Sequence, residues 1–425
     1  MHYYSPTLYL PNTPDGRKLY QLELTSTLRS NMVHQKTVLK KALVTQGCFF
    51  AINKPLGWTS NDVVIKVRSV LEKYVSLKYP TNRIEDKQKR SKKTKVPLGH
   101  LGTLDPNASG VLPIACGPAT KFIELAKKRP PNFKIYTTKI TLGKSTSTDD
   151  QDENTSNYRV IREVDMSWLT KEHIEPHLKT FEGSIMQRPP TVAAKQIHGI
   201  RAHELERKGL MTSNLVQPVP VRIDNIEILD FKPGRLPEVD LRVTCGSGTY
   251  IRSLARDLGH QILHQNLGTN VLMEDGVWFY PQYVPGCGSV KELRRDFSDG
   301  FDLDQCIDID VFLEMFDSRN VESHKDIHSF AKKNFQNIYS TMNYIPEFSM
   351  NVCREEEKKI IRSWRLKKPI CADNYGQMKH FQDDRSTSSG KIDLVRAVVN
   401  GKFLGVGEKY QNKVRRYKKY SINNK

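Results

Sequence analysis

GHLGTLDPNASGVLPIACGPATKF spans residues 99–122, and its centre is Asp105, between Leu104 and Pro106. The segment reads as a glycine-rich turn feeding an apolar strand through Val111, Leu112, Ile114 and Ala115. Asp-Pro pairs are ordinary turn formers, so the aspartate alone decides nothing. A carboxylate presented by a tight turn at a strand edge can also act as a nucleophile or general base. Which reading holds depends on what surrounds it.

Upstream, Cys48-Phe-Phe-Ala-Ile reads as a short buried strand that ends at Asn53-Lys54-Pro55. Ser60 is expected to cap a helix, because Val63, Val64, Val67, Val70, Leu71 and Tyr74 recur at helical spacing. Residues 82–95 carry seven Lys or Arg against Glu85 and Asp86 and read as a basic loop beside the motif. Downstream, Phe133–Leu142 alternates as a strand, and residues 144–157 are polar enough to be a loop. Val221–Phe231 and Val239–Cys245 are further strands. Gly246-Ser-Gly-Thr-Tyr250 then turns into a helix with a stripe of Ile251, Leu254, Ala255, Leu258 and Ile262. Strands and helices mix without regular βαβ alternation, which predicts an α+β fold.

The composition suits a globular chain with a polyanionic partner. Of 425 residues, 38% are hydrophobic, 27% are charged, and the formal charge is +19. Clustered Lys and Arg gain affinity for nucleic acid by releasing counterions from phosphates. Seven widely spaced cysteines without a C-x-x-C pair argue against a zinc site and a disulfide framework, and fit a reducing compartment such as cytoplasm or nucleus. No apolar run approaches the roughly 18–20 residues that span a bilayer. Residues 1–47 read as an extension, either disordered or an organelle transit peptide. Pro285-Gly-Cys-Gly suggests a boundary, and Leu394–Val406 reads as a hairpin around Asn400-Gly401. From Lys409 onward seven basic residues and three tyrosines, with no acid, form a basic tail suited to RNA. The expected domains are therefore 1–47, 48–285, a linker or helical segment 286–342, and a small β-rich domain 343–425.

Four positions can carry chemistry. Asp105 offers the carboxylate. Tyr136 can stack on a base or simply pack a strand. Arg252 opens a helix off its apolar stripe and can hold a carboxylate in a bidentate pair. Lys54, before Pro55, is either buried against the core or meets a phosphate.

Together these segments resemble the TruB family of tRNA pseudouridine synthases. Gly99, His100, Gly102–Pro106, Ala108 and Gly110–Leu112 fit its aspartate motif, and Gly117 with Ala119-Thr120-Lys121 extends the fit. Lys54-Pro55-x-Gly57-x-x-Ser60 is similar to its strand-end motif, Lys134-x-Tyr136 to its tyrosine segment, and Gly248–Gly259 to its arginine motif. Gln187-x-Pro189-Pro190 with Ala194, Ile197 and Gly199 fits a further segment less well. Tyr344-Ile-Pro346 and Asn400–Glu408 are similar to a small PUA-like RNA-binding domain.

The resemblance implies a mixed, largely antiparallel sheet with packed helices. It implies an isomerase acting on the T-loop uridine of tRNA, conventional tRNA position 55. Asp105 would be the catalytic aspartate, Arg252 its ion-pair partner and Tyr136 the platform for the uracil. His100 would fill the space the nucleotide leaves, while Tyr250 and Lys54 would support substrate binding. The expected protein is a monomer that takes the T arm of tRNA, without membrane, metal or redox cofactor. The aspartate can add to the anomeric carbon, add to the pyrimidine, or remove a sugar proton. Asn107-Ala108-Ser109-Gly110 departs from the Lys-Val-Thr-Gly common in guide-RNA-dependent relatives that modify ribosomal RNA. An RNA-folding chaperone on the same scaffold is a third reading, against which the retained Asp105, Tyr136 and Arg252 weigh. Other departures are Ser147 in place of an aspartate, Val192-Ala193, His203, and Met273-Glu274 where paired arginines are expected.

Overall fold

Alternation along Phe133–Leu142 produces the strand around which the others assemble, with Lys134, Tyr136, Thr138 and Ile140 on its buried face. The computed structural model describes residues 39–76, 94–154, 158–190, 196–197, 200–201, 217–266, 272–274, 277–279, 287–317, 327–345, 347–366, 370–371, 393–410 and 413–416. In chain order the first elements are β1 (Cys48–Lys54), α1 (Ser60–Ser76), β2 (Leu98–His100), β3 (Ala108–Cys116) and β4 (Phe133–Leu142). A short ladder of β5 (Lys144–Thr146) and β6 (Val160–Glu163) follows, then α2 (Lys171–Thr180) and β7 (Gly183–Gln187). Next come β8 (Val219–Lys232), β9 (Glu238–Gly246), α3 (Ile251–Asn266), β10 (Leu272–Glu274) and β11 (Val277–Phe279). The central region ends with β12 (Gly288–Ser298), β13 (Phe301–Asp302), β14 (Cys306–Asp308) and α4 (Ile309–Met315).

These strands build a 13-stranded sheet in the order β10-β11-β7-β8-β9-β4-β12-β3-β1-β14. β2 flanks β3, β13 flanks β12, and Gln336–Asn337 flanks β1. The β12–β3, β1–β14 and β11–β7 pairs are parallel and the others antiparallel, so the sheet is mixed and largely antiparallel. The α3 stripe Ile251, Leu254, Ala255, Leu258 and Ile262 is wholly buried against β4, β8 and β9, joined by Ile174 and Leu178 of α2. Each such aliphatic side chain contributes about 1.5–3 kcal/mol relative to exposure. On β1 and β3, Val63, Val67, Leu71 and Tyr74 of α1 meet Phe50, Ile52, Ile114 and Phe312. No helix among the described residues is long and apolar enough to cross a membrane.

A second, five-stranded sheet follows: β15 (Glu347–Met350), β16 (Ile370–Cys371), β17 (Asp393–Val399), β18 (Lys402–Tyr410) and β19 (Lys413–Arg416), with α5 (Arg354–Arg365) beside it. Asn400 (φ 47°) and Gly401 (φ 71°) make the two-residue β17–β18 turn, which needs left-handed backbone at both positions. Val406 of β18, with Ile338, Met342 and Ile345, packs on Phe122 and Leu125 of the first unit. The Tyr344 hydroxyl donates to the Leu125 carbonyl at 2.6 Å.

Several expectations change. The boundary near residue 285 is not the end of the central sheet, because β12 lies between β3 and β4, and β14 pairs with β1. Residues 286–342 are thus largely part of the first unit. Ser60 does not cap α1. Thr59 does, its hydroxyl accepting from Asp62 N–H while Asp62 accepts from Thr59 N–H. Residues 144–157 are not all loop, since Lys144–Thr146 pairs with β6. The basic tail begins later than expected, because Lys413–Arg416 is a strand paired with Gly407–Tyr410. Residues 1–38, the basic stretch 82–93, Val192, Ala193, His203, Pro346 and residues 417–425 lie outside the described residues.

Candidate active site

The β2–β3 connection carries Asp105, and three anchors beneath it explain why it holds its shape. The Ser60 hydroxyl donates to Leu104 C=O at 2.9 Å and accepts from Leu104 N–H at 2.8 Å. Both backbone groups of the residue before Asp105 are therefore satisfied by one buried side chain. Lys54 is wholly buried, and its ammonium donates to the carbonyls of Pro55 (2.8 Å), Trp58 (2.5 Å) and Pro106 (3.2 Å). Three carbonyls match the three donors of an ammonium, although burial lowers its pKa to about 8. The third anchor is Arg295 on β12, also wholly buried. Its guanidinium donates to the carbonyls of Val111 (2.8 Å), Gly102 (3.1 Å) and Thr103 (3.5 Å). Gly110, opposite Arg295 in the sheet, has φ 102°, and a Cβ there would collide with the Arg295 carbonyl.

Arg252 reaches the loop from the first turn of α3. Its Nε lies 2.9 Å from Asp105 Oδ2, and its Nη1 donates to Thr148 C=O at 3.0 Å and lies 4.0 Å from Asp150 Oδ2. The Arg252 side chain is 6% exposed and that of Asp105 36% exposed. The arginine is thus dry, while the carboxylate faces the cleft. Burial alone would lower the guanidinium pKa, but Asp105, then Asp150 and Asp149, raise it above its ordinary value. Asp150 accepts from the Thr148 hydroxyl at 2.8 Å and from Asp152 N–H at 3.3 Å. Burial raises its carboxyl pKa, with Arg252 opposing the shift. One turn further along α3, Arg256 pairs with Asp149 at 2.8 Å and Asp257 at 2.9 Å. Two arginines four residues apart therefore fasten the 148–150 turn to one face of the helix. Gln187 at the end of β7 fixes the helix entry, accepting from Tyr250 N–H at 2.8 Å and donating to Tyr250 C=O at 3.1 Å.

These parts enclose a cleft of about 290 Å³ whose lining includes Asp105, Tyr136, Tyr250, Arg252, Lys134 and Leu293. Asp105 is the one carboxylate lining it among the described residues. Tyr136 is buried, the Arg295 guanidinium stands beside its hydroxyl, and burial pushes the phenol above its ordinary pKa. The Asp105 side chain at one wall and an aromatic ring at another suit a flat, uncharged heterocycle held over a reactive carboxylate. Among the described residues no group of three or more His, Cys, Asp or Glu is arranged to hold a metal ion.

Asp105, Arg252, Tyr136 and Tyr250 are brought to one cleft as the sequence suggests. Lys54 is not: it lies beneath the loop and cannot reach a substrate, because its ammonium is spent on three carbonyls. His100 ends β2 and does not line the cleft, and its Nδ1 is buried without a hydrogen-bond partner. Sequence reading missed Arg295 and the use of Ser60. It sought an arginine pair at Met273-Glu274, which stand in β10 at the far edge of the sheet. Of Arg294-Arg295 on β12 only Arg295 stands under the site's loop; Arg294 is exposed on the other face and pairs with Asp296 at 2.7 Å. The Lys54-x5-Ser60 spacing was the available signal for Ser60, and the Arg-Arg doublet in an alternating run for Arg295.

Comparisons with known proteins bear on the family and the fold. A profile of the TruB family pseudouridylate synthase N-terminal domain matches residues 88–251, ending one residue before Arg252. The chain is 44% identical over 211 residues to tRNA pseudouridine synthase B of Microcystis aeruginosa, covering 50% of this chain and 61% of that protein. It is 36% identical over 266 residues to tRNA pseudouridine synthase B of a Synechococcus strain, covering 63% of this chain and 72% of that protein. The chain thus spans under two thirds of the first relative's length. A solved H/ACA RNP bound to a substrate RNA containing 2'-deoxyuridine shares the fold. Its TM-score is 0.50 at 19% identity, with 88% of this chain and 84% of that one covered.

Proposed function

The chain belongs to the TruB family of pseudouridylate synthases, and on that premise we propose that it isomerises a T-loop uridine of tRNA to pseudouridine. The observation that carries this reading is the 2.9 Å pair of Asp105 with a buried arginine, in a cleft walled by Tyr136. The reaction breaks the N1–C1′ bond and makes a C5–C1′ bond. The C5 proton is lost and N1 gains one, so atoms balance without a second reactant. Asp105 supplies the reactive carboxylate, and Arg252 orients it through one oxygen while Asp150 and Thr148 fix the guanidinium. Tyr136 holds the uracil after it has left the stack, a step whose unstacking cost a prepared aromatic surface offsets. Tyr250 lines the same cleft. Lys54, Ser60 and Arg295 act through the loop and are positioning residues.

The small C-terminal sheet is proposed to add contacts to the same RNA, in the manner of a PUA-like domain. The test is incubation of the purified protein alone with an unmodified tRNA transcript, followed by mapping of pseudouridine. Conversion of a single T-loop uridine is expected. Conversion only after addition of a guide RNA and partner proteins would overturn the stand-alone reading, and RNA annealing without any conversion would favour a chaperone.

A further inference from the structure

The cleft has a cationic wall that the chemistry at Asp105 does not use. Lys134 stands two residues before Tyr136 on the same face of β4, one side-chain step or about 6.6 Å toward the start of the strand. It lines the cleft with Lys127 and is 7% exposed. Among the described residues, no carboxylate forms an ion pair with its Nζ and no acceptor bonds to it. The two arginines nearby are committed: Arg252 is held by Asp105 and Thr148, and Arg295 donates to three loop carbonyls, while Lys127 has only an exposed pair with Glu124 at 2.9 Å. Gly102 backs the ammonium: a Cβ at that position would lie 2.8 Å from Nζ. The loop therefore leaves room for a lysine head group that has no anion of its own. An ammonium so buried is costly unless an anion arrives to pair with it.

We propose that Lys134, with Lys127 at the rim, is a subsite for one backbone phosphodiester beside the extruded uridine. This rests on the reading of the cleft as a uridine isomerase. A nucleotide whose base lies on Tyr136 must bring its phosphates to the mouth of the cleft, and an ammonium recognises phosphate as a point charge. The surroundings agree in sign. Burial lowers the Lys134 pKa to about 8, Arg295 on β12 and Lys127 push the same way, and Asp299 after β12 and Cys245 on β9 partly oppose them. A bound phosphate raises it again, so RNA binding takes up a proton above about pH 8 and weakens as pH rises.

The experiment is a coupling cycle on the full-length protein. T-arm hairpins carry a single neutral methylphosphonate at each linkage flanking the target uridine, and wild type is compared with Lys134→Met. One linkage is expected to cost wild type roughly tenfold in Kd. Lys134→Met should bind the all-phosphate hairpin weaker by a similar factor, ignore that one substitution, and lose about 0.7–0.9 from its log–log salt slope. A wild-type scan in which no flanking linkage costs affinity overturns the subsite and requires no variant. So does a penalty that persists undiminished in a Lys134→Met protein that melts like wild type. Pseudouridine formation by wild type on the unsubstituted hairpin is measured alongside. Its failure would sink the isomerase reading, whereas the binding cycle reports on Lys134 separately.

Discussion

At the scale of single residues, the carboxylate, the arginine and the second carboxylate behind it form a line, and each has a distinct expected phenotype. Asp105→Asn removes the reactive charge at nearly constant volume. It should abolish pseudouridine formation while tRNA affinity stays within about threefold, and near-normal turnover would reduce Asp105 to a turn residue. Arg252→Lys keeps a positive charge but cannot span Asp105 and Thr148 together, so kcat should fall about 10²–10³-fold with KM little changed. Asp150→Asn tests the far end of the line. The Asp150 pKa is raised above 3.8 by burial, so as pH falls it takes up a proton earlier than an exposed aspartate and stops attracting Arg252. Wild-type kcat should therefore decline on the acid side above the ordinary carboxylate range. Asp150→Asn should be slow throughout, with that acid limb moved downward. An unchanged limb would show that Asp150 does not act through Arg252.

At the scale of elements, the loop is held by side chains from β1, α1 and β12, and the Arg295 guanidinium lies 193 residues along the chain from the Gly102 carbonyl it bonds. Ser60→Ala would strand the buried N–H and C=O of Leu104, a loss of about 1–3 kcal/mol. The expected result is a lower melting temperature and a kcat that falls more than KM rises, with partial rescue by Ser60→Thr. Unchanged melting and unchanged kcat in Ser60→Ala would make the clamp incidental. β8 and β9 were legible because their buried positions are filled by apolar residues at the right period, and β4 and α3 because enough apolar residues keep the period although Lys134, Thr138, Arg252 and His260 are buried among them. β12 was not. Its inward positions include Ser289, Arg295 and Ser298, which read as surface until the loop carbonyls that satisfy Arg295 are seen.

At the scale of the whole molecule, the C-terminal sheet is joined to the first unit by apolar packing and by the Tyr344–Leu125 hydrogen bond. Its basic end has two parts that should behave differently. Truncation after Glu408 deletes β19, whose Val414 is buried, and should lower the melting temperature of the protein. Truncation after Arg416 removes Lys418, Lys419 and Lys425 and should leave melting unchanged. It should weaken tRNA binding and flatten the log–log salt slope by up to about 2, at roughly 0.7 per phosphate on single strands. Superimposable salt titrations would show that these lysines contact no RNA.

The sequence by itself predicted a polyanionic partner, through its charge of +19, and singled out Asp105, Tyr136 and Arg252, which the fold brings to one cleft. It also specified the elements whose cores are apolar, because hydrophobic period is a local signal. Only the tertiary structure decided that Lys54 and Ser60 serve the loop rather than the substrate or a helix end. It alone placed Arg295 under that loop and left Lys134 in the cleft wall without an anion. The physical reason is common to all four. Whether a buried polar group is a cap, an anchor or a binding group depends on which distant carbonyl or carboxylate satisfies it, and that partner is chosen by the fold.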